Sequence, residues 1–136
     1  MNITVSKEVG RVDVTVLRLE GRLDGQTYQL LIEKARDVYR AGSRNFLIDL
    51  SDLTYVSSAG LVALHTVALI TSGEALPDEE SGWSTLRAMG GAGREGVQKH
   101  VKFYNPREEV RSVLDMVGFG SAFEIFTDLE KAVKSF

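Results

Sequence analysis

The chain has 136 residues, a net charge of −3 and no cysteine. That length supports one domain with a real hydrophobic core, and the composition is that of an ordinary globular protein. The absence of cysteine excludes a disulfide framework and a thiolate metal site, and without a basic cluster nucleic acid is not an expected partner. Met1 to Gly10 alternates polar and apolar residues with no signal-peptide apolar region, and no apolar run approaches the roughly 18 residues of a membrane span. A cytoplasmic location is the default expectation.

Ile3 and Val5 alternate with polar neighbours, and Val12, Val14 and Val16 do the same after Gly10. This pattern predicts a hairpin of two strands. The second run changes phase near Val16-Leu17, so its end should be buried on both faces, and it should stop at Gly21. Gly21-Arg22-Leu23-Asp24 comes next, and Asp24 is at minimum a turn or cap residue. A helix is expected from about Thr27 to Ala41, since Tyr28, Leu31, Ile32, Ala35, Val38 and Tyr39 form one apolar stripe and Gly42 suits the position after the C-cap.

Asn45 to Ile70 organises the rest. Phe46-Leu47-Ile48-Asp49-Leu50 predicts a buried strand, and a short polar corner should come after it. A helix then opens on Ser57-Ser58, with Ala59, Gly60 and ten nearly all apolar residues behind. Serine is a favoured N-cap because its hydroxyl oxygen accepts from an otherwise unpaired first-turn amide. One or both serines should therefore sit at the positive end of a helix dipole.

From Thr71 to His100 the rhythm breaks. Six of the 13 glycines, Pro77, the acidic run Asp78-Glu79-Glu80 and the only tryptophan, Trp83, fall there. The stretch is too polar for a core element and too long for an ordinary connection, and a short helix is expected near Trp83 to Met89. It is either a mobile surface excursion or a partner-contact loop anchored by Trp83. Gly91, Gly93 and Gly96 spell G-x-G-x-x-G, but no apolar strand precedes them, so a phosphate-cradling role is not expected. Val101 to Tyr104 then predicts a strand. Asn105 and Pro106 should be the N-cap and first residue of a helix carrying Val110, Val113, Leu114 and Val117, ended by Gly118. Phe123 to Phe126 predicts a short strand, and Thr127 should cap a last helix with Leu129, Ala132, Val133 and Phe136. The expected class is α/β: a mixed, mostly parallel β-sheet with helices packed against it, in the order β-β-α-β-α-(insert)-β-α-β-α.

Enzyme chemistry finds little support. His65 and His100 are the only histidines, V-S-S-A-G is not the G-x-S-x-G nucleophile elbow, and no metal-ligand spacing occurs. Neither a cofactor nor a metal is expected. A serine hydrolase using Ser57 or Ser58 is the least favoured alternative.

The run from Asp49 to Leu61, D-L-S-x-L-x-x-V-S-S-A-G-L, together with G-R-L-D at residues 21–24, resembles the signature of STAS domains, in particular the bacterial anti-sigma factor antagonists. The resemblance covers nearly the whole chain apart from about residues 71–100, which against the family pattern are a Gly-rich insertion, and implies the STAS fold as one domain over residues 1–136. It implies phosphorylation of Ser58 by an anti-sigma factor that is itself a kinase, and reversal by a serine phosphatase. Ser57, which stands where many members carry aspartate, is the alternative phosphoacceptor. The implied partner surface comprises Asp24, Gly25, Ser57, Ser58, Ala59, Gly60 and Leu61, with Trp83 a further candidate. The competing expectation is a STAS module that does not switch, either a scaffold component or an accessory subunit of a transporter.

Overall fold

The computed structural model describes residues 1–72 and 98–136. Trp83, the predicted helix near it and the G-x-G-x-x-G run lie outside the described residues. The element order is β1 (Asn2–Val9), β2 (Asp13–Leu23), α1 (Tyr28–Arg40), β3 (Phe46–Val56), α2 (Ser58–Ser72), β4 (Val101–Tyr104), α3 (Glu108–Met116), α4 (Phe119–Ala122), β5 (Ile125–Phe126) and α5 (Leu129–Lys134). The five strands form one sheet in the order β1-β2-β3-β4-β5. The opening hairpin is antiparallel and every later pairing is parallel. This is the mixed α/β sheet expected from the sequence, with the four-residue α4 added.

The main core joins one face of the sheet to α1, α2 and the α3–α4 region. Leu17, Leu19, Leu23, Phe46, Ile48, Leu50, Leu53, Val56, Val101 and Phe103 meet Leu31, Ala35, Leu61, Leu64, Val67, Val110 and Leu114 there. Helix α1 buries the predicted stripe, with Leu31 and Ala35 fully enclosed and Tyr28, Ile32, Val38 and Tyr39 at its margin. Helix α2 is different: ten of its 15 residues are buried, His65 among them at 2% exposure. A helix apolar all round belongs in the interior, and this one lies between the sheet and its neighbours. Phe103, Phe119 and Phe123 close the far end, with the Phe103 and Phe123 rings stacked at 4.6 Å.

A smaller cluster lies on the opposite sheet face, where Ala132 and Val133 of α5 cover Val14, Val16 and Leu47. This explains a difference from expectation. The doubly buried part of β2 is Val14 to Leu17, under α5, and beyond it the strand returns to alternation, with Arg18 and Arg22 exposed and Leu19 and Leu23 buried. Lys102, itself 4% exposed, fastens α5 down: its ammonium donates to the Ser135 carbonyl and hydroxyl, both at 2.9 Å, and pairs with Glu124 at 3.4 Å.

Several boundaries differ from those the sequence suggested. Strand β2 does not stop at Gly21 but passes through it with φ +106 and a register shift, and continues to Leu23. Strand β3 does not turn at a polar corner after Leu50. It runs on to Val56, because Leu53 and Val56 keep contributing to the core while a second shift absorbs Thr54. Thr71 and Ser72 belong to α2 rather than to the insert, and His100 is tied back to Asn45 at 2.9 Å. Asn105 is not an N-cap: it takes φ 52, a left-handed turn that asparagine tolerates, and α3 begins two residues after Pro106 with Arg107 at the N-cap. Strand β5 is only Ile125–Phe126, since α4 occupies the residues before Phe123. Helix α5 is capped by Asp128, whose carboxylate accepts from the Lys131 amide, and not by Thr127.

Candidate functional site

The parallel register Leu23↔Val56 sets the ends of β2 and β3 side by side. The segments at the two strand ends are therefore brought together: the loop Asp24–Thr27 after β2, and Ser57-Ser58 after β3. The junction is closed by backbone, since the Ser57 amide donates to the Leu23 carbonyl at 2.9 Å.

Ser57 performs the capping. Its hydroxyl oxygen accepts from the Gly60 amide at 3.3 Å and its carbonyl accepts from the Leu61 amide at 3.0 Å. The residue is half-buried. Ser58 is the first residue of α2 and is exposed, and among the described residues its hydroxyl has no hydrogen-bond partner. The two adjacent serines thus divide the labour, one hydroxyl committed to the helix start and the other offered to solvent at the positive end of the dipole.

Gly60 is required by space. A Cβ there would lie 2.6 Å from the Leu23 carbonyl oxygen, 2.8 Å from Val56 Cγ2 and 2.9 Å from Leu23 Cγ. The glycine lets the first turn of α2 press directly onto the ends of β2 and β3. Ala59 is half-buried and Leu61 is buried in the core, so of the residues expected to meet a partner, Leu61 supports the surface from below.

The neighbouring loop is knotted by Thr27. Its hydroxyl accepts from the Asp24 amide at 2.9 Å and donates to the Arg22 carbonyl at 2.8 Å, and the Asp24 carbonyl accepts from the Tyr28 amide at 2.8 Å. The Asp24 carboxylate accepts from the Gln26 amide at 3.0 Å. That bond holds the carboxyl below its usual range, helped by the Thr27 hydroxyl and the Arg22 charge against partial desolvation. Gly25 is exposed, and no atom lies within 4 Å of where a Cβ would stand. The fold leaves the space above it clear.

Arg22 and Tyr55 complete the site, and sequence reasoning singled out neither. They are register partners. The Arg22 guanidinium carbon lies 4.2 Å from the centroid of the Tyr55 ring, and its Nε is 3.7 Å from the Asp24 carboxylate. Both side chains are exposed. The one available signal was the exposed arginine inside G-R-L-D. Its aromatic partner depends on two register shifts that no sequence pattern announces.

A family model described as Mlab, STAS domain matches residues 8–75, half of the chain and the half that holds every element of this site. The chain belongs to the STAS domain family. Solved structures share the STAS fold. An assigned anti-sigma factor antagonist from Thermotoga maritima superposes with a TM-score of 0.63 at 17% identity, covering 89% of this chain and 85% of that one. An anti-sigma factor antagonist from Mycobacterium paratuberculosis gives 0.62 at 18% identity, covering 98% and 93%. SpoIIAA, an anti-sigma factor antagonist, gives 0.57 at 19% identity over 96% and 93% in its unphosphorylated form. The phosphorylated form of SpoIIAA, a Bacillus cell fate determinant, gives 0.53 at 17% over 96% of each chain. None of the curated proteins matches this sequence. Among the described residues no helix is long and apolar enough to cross a membrane, and no group of side chains could hold a metal ion.

Proposed function

We propose that this STAS domain is a cytoplasmic anti-sigma factor antagonist switched by phosphorylation of Ser58. The unphosphorylated protein binds a serine-kinase anti-sigma factor through Ser58, the Asp24-Gly25 loop and the first turn of α2, and so frees a sigma factor. The kinase transfers a phosphoryl group to the Ser58 hydroxyl, the complex separates, and a serine phosphatase restores the binding form. Catalysis resides in those two partners.

The observation that carries this proposal is the division between the serines: Ser57 is spent on the helix cap and Ser58 is exposed. It favours Ser58 over Ser57 as phosphoacceptor, because modifying Ser57 would remove the cap. The likeness to SpoIIAA, solved with and without phosphate, supports the same kind of switch. A phosphoserine carries about −1.5 to −2 charge at neutral pH. At an exposed helix N-terminus that charge is favoured by about 0.3–1 kcal/mol, so the domain tolerates it without refolding. Against a closely packed partner the same dianion would be desolvated beside Asp24, at a cost of several kcal/mol. The switch therefore acts on the complex and leaves the fold as it is.

Phosphosite mapping by mass spectrometry on protein isolated from its own cells tests the proposal. Phosphate on Ser58 in some growth conditions is the expected result. Phosphate on Ser57 would move the site, and neither serine modified under any condition would overturn the switch.

A second reading draws on the matched family description, which carries the name Mlab and not that of an anti-sigma factor antagonist. Here the chain is a non-switching STAS module, a scaffold component or an accessory subunit of a transporter. It would then copurify in a large stable assembly whose amount is indifferent to Ser58→Asp.

A further inference from the structure

We infer that Arg22 is the residue that receives the phosphate once Ser58 is modified, acting as a clamp held ready on the Tyr55 ring. The inference depends on the phosphoacceptor role proposed above for Ser58.

Three observations place Arg22 for this. The first is position. Arg22 precedes Leu23, whose carbonyl holds the Ser57 amide, and its register partner Tyr55 precedes Ser58 by three residues on β3. The Arg22–Asp24 contact shows that the side chain already leans toward the serine end of the strands. The second is readiness. The guanidinium lies over the Tyr55 ring, and among the described residues none of its N–H donors has a hydrogen-bond acceptor. A planar cation with unfilled N–H donors fits a tetrahedral phosphate or a carboxylate in a two-pronged contact. The third is need. A phosphate on Ser58 would add negative charge to the strand-end junction that also carries Asp24, and the only cation in contact with Asp24 among the described residues is Arg22.

At 3.7 Å the Arg22–Asp24 contact is an ion pair outside hydrogen-bond range. Exchanging it for a dianion gives up little and gains charge-assisted hydrogen bonds. Arg18, four residues earlier on β2, is already engaged by Asp52 and Glu20 and supplies an internal control.

The test installs phosphoserine at position 58 by genetic encoding, so no kinase is needed, and tracks the phosphate by 31P NMR from pH 4 to 8. A free phosphoserine loses its second proton near pH 6. A neighbouring cation favours the dianion, so Arg22→Gln is expected to raise that midpoint by about one pH unit relative to the wild-type background. Arg22→Lys, which keeps the charge and loses the planar fork, should fall between the two. Arg18→Gln should leave the midpoint where it is. In the wild-type background the Arg22 Nε–H resonance should also move as the phosphate ionises. Equal midpoints for wild type and Arg22→Gln, or an equal effect from Arg18→Gln, would overturn the clamp. Phosphosite mapping in cells bears on the proposed switch alone, so the two can fail separately.

Discussion

Gly60→Ala sets two physical effects against each other at the centre of the site. Alanine is the better helix former by about 1 kcal/mol, and on propensity alone the substitution would stabilise the protein. The structure reverses the sign. The new Cβ would meet the Leu23 carbonyl oxygen at 2.6 Å, and that atom is backbone, fixed by its bond to the Ser57 amide. The side chains of Val56 and Leu23 close in at 2.8 and 2.9 Å, and both belong to the packed core. Overpacking of this kind costs about 1–3 kcal/mol, and here relief requires lifting the first turn of α2 off the strand ends. Because the shortest of the three contacts is to fixed backbone, the cost belongs at the upper end, about 2–3 kcal/mol, and after offsetting the propensity gain the expected net loss is about 1–2 kcal/mol. Urea denaturation with unchanged m-value would read it as a lowered midpoint. Amide exchange should quicken at Ser57, whose hydrogen bond closes the junction, and at Leu61 in the first turn of α2. A Gly60→Ala protein as stable as wild type, or more so, would refute the close approach of α2 to β2.

The two serines should separate in stability assays. Ser57→Ala removes the cap and is expected to cost about 0.5–1 kcal/mol, whereas Ser58→Ala should lie within about 0.5 kcal/mol of wild type by the same denaturation measurement. Asp24 predicts a pH dependence. Its folded pKa is lowered, chiefly by the Gln26 amide, so its contribution is complete above the unfolded carboxylate pKa of about 3.9 and disappears as pH falls through the folded value. The stability gap between wild type and Asp24→Asn should be constant from pH 5 to 7 and close below about pH 4, and a gap that stayed constant to pH 3 would contradict the Asp24 bonding described. Phe123→Ala, at a 1% exposed position stacked on Phe103, should cost about 3–5 kcal/mol in a thermal or chemical melt.

Much of this arrangement was legible in the residues. The Tyr28 to Tyr39 stripe marked α1 to within a residue at each end, and Val101 to Tyr104 is the strand the sequence suggested. Both are regular elements with one buried side, where apolar spacing reports directly on geometry. The errors gather where geometry is irregular. Ser51 to Tyr55 looks polar enough for a corner, yet the sheet carries it as a shifted strand. Asn105-Pro106 has the letters of a helix start, yet the backbone spends Asn105 on a left-handed turn. At the site, local chemistry marked the serines as a helix start and Asp24 as a turn residue, and the resemblance to STAS domains joined them into one surface. The Arg22–Tyr55 stack could not, since it is made only when two distant segments pair with a particular offset.

The strands lie across the sheet in the order in which the chain presents them. During synthesis, each new strand therefore meets a neighbour already made and adds at an open edge. No strand must wait for a later one to be threaded between two earlier ones. Everything that forms the candidate switch, from Arg22 to Leu61, precedes β4 in the chain. The second half of the sheet is added afterwards at the edge that β3 leaves free.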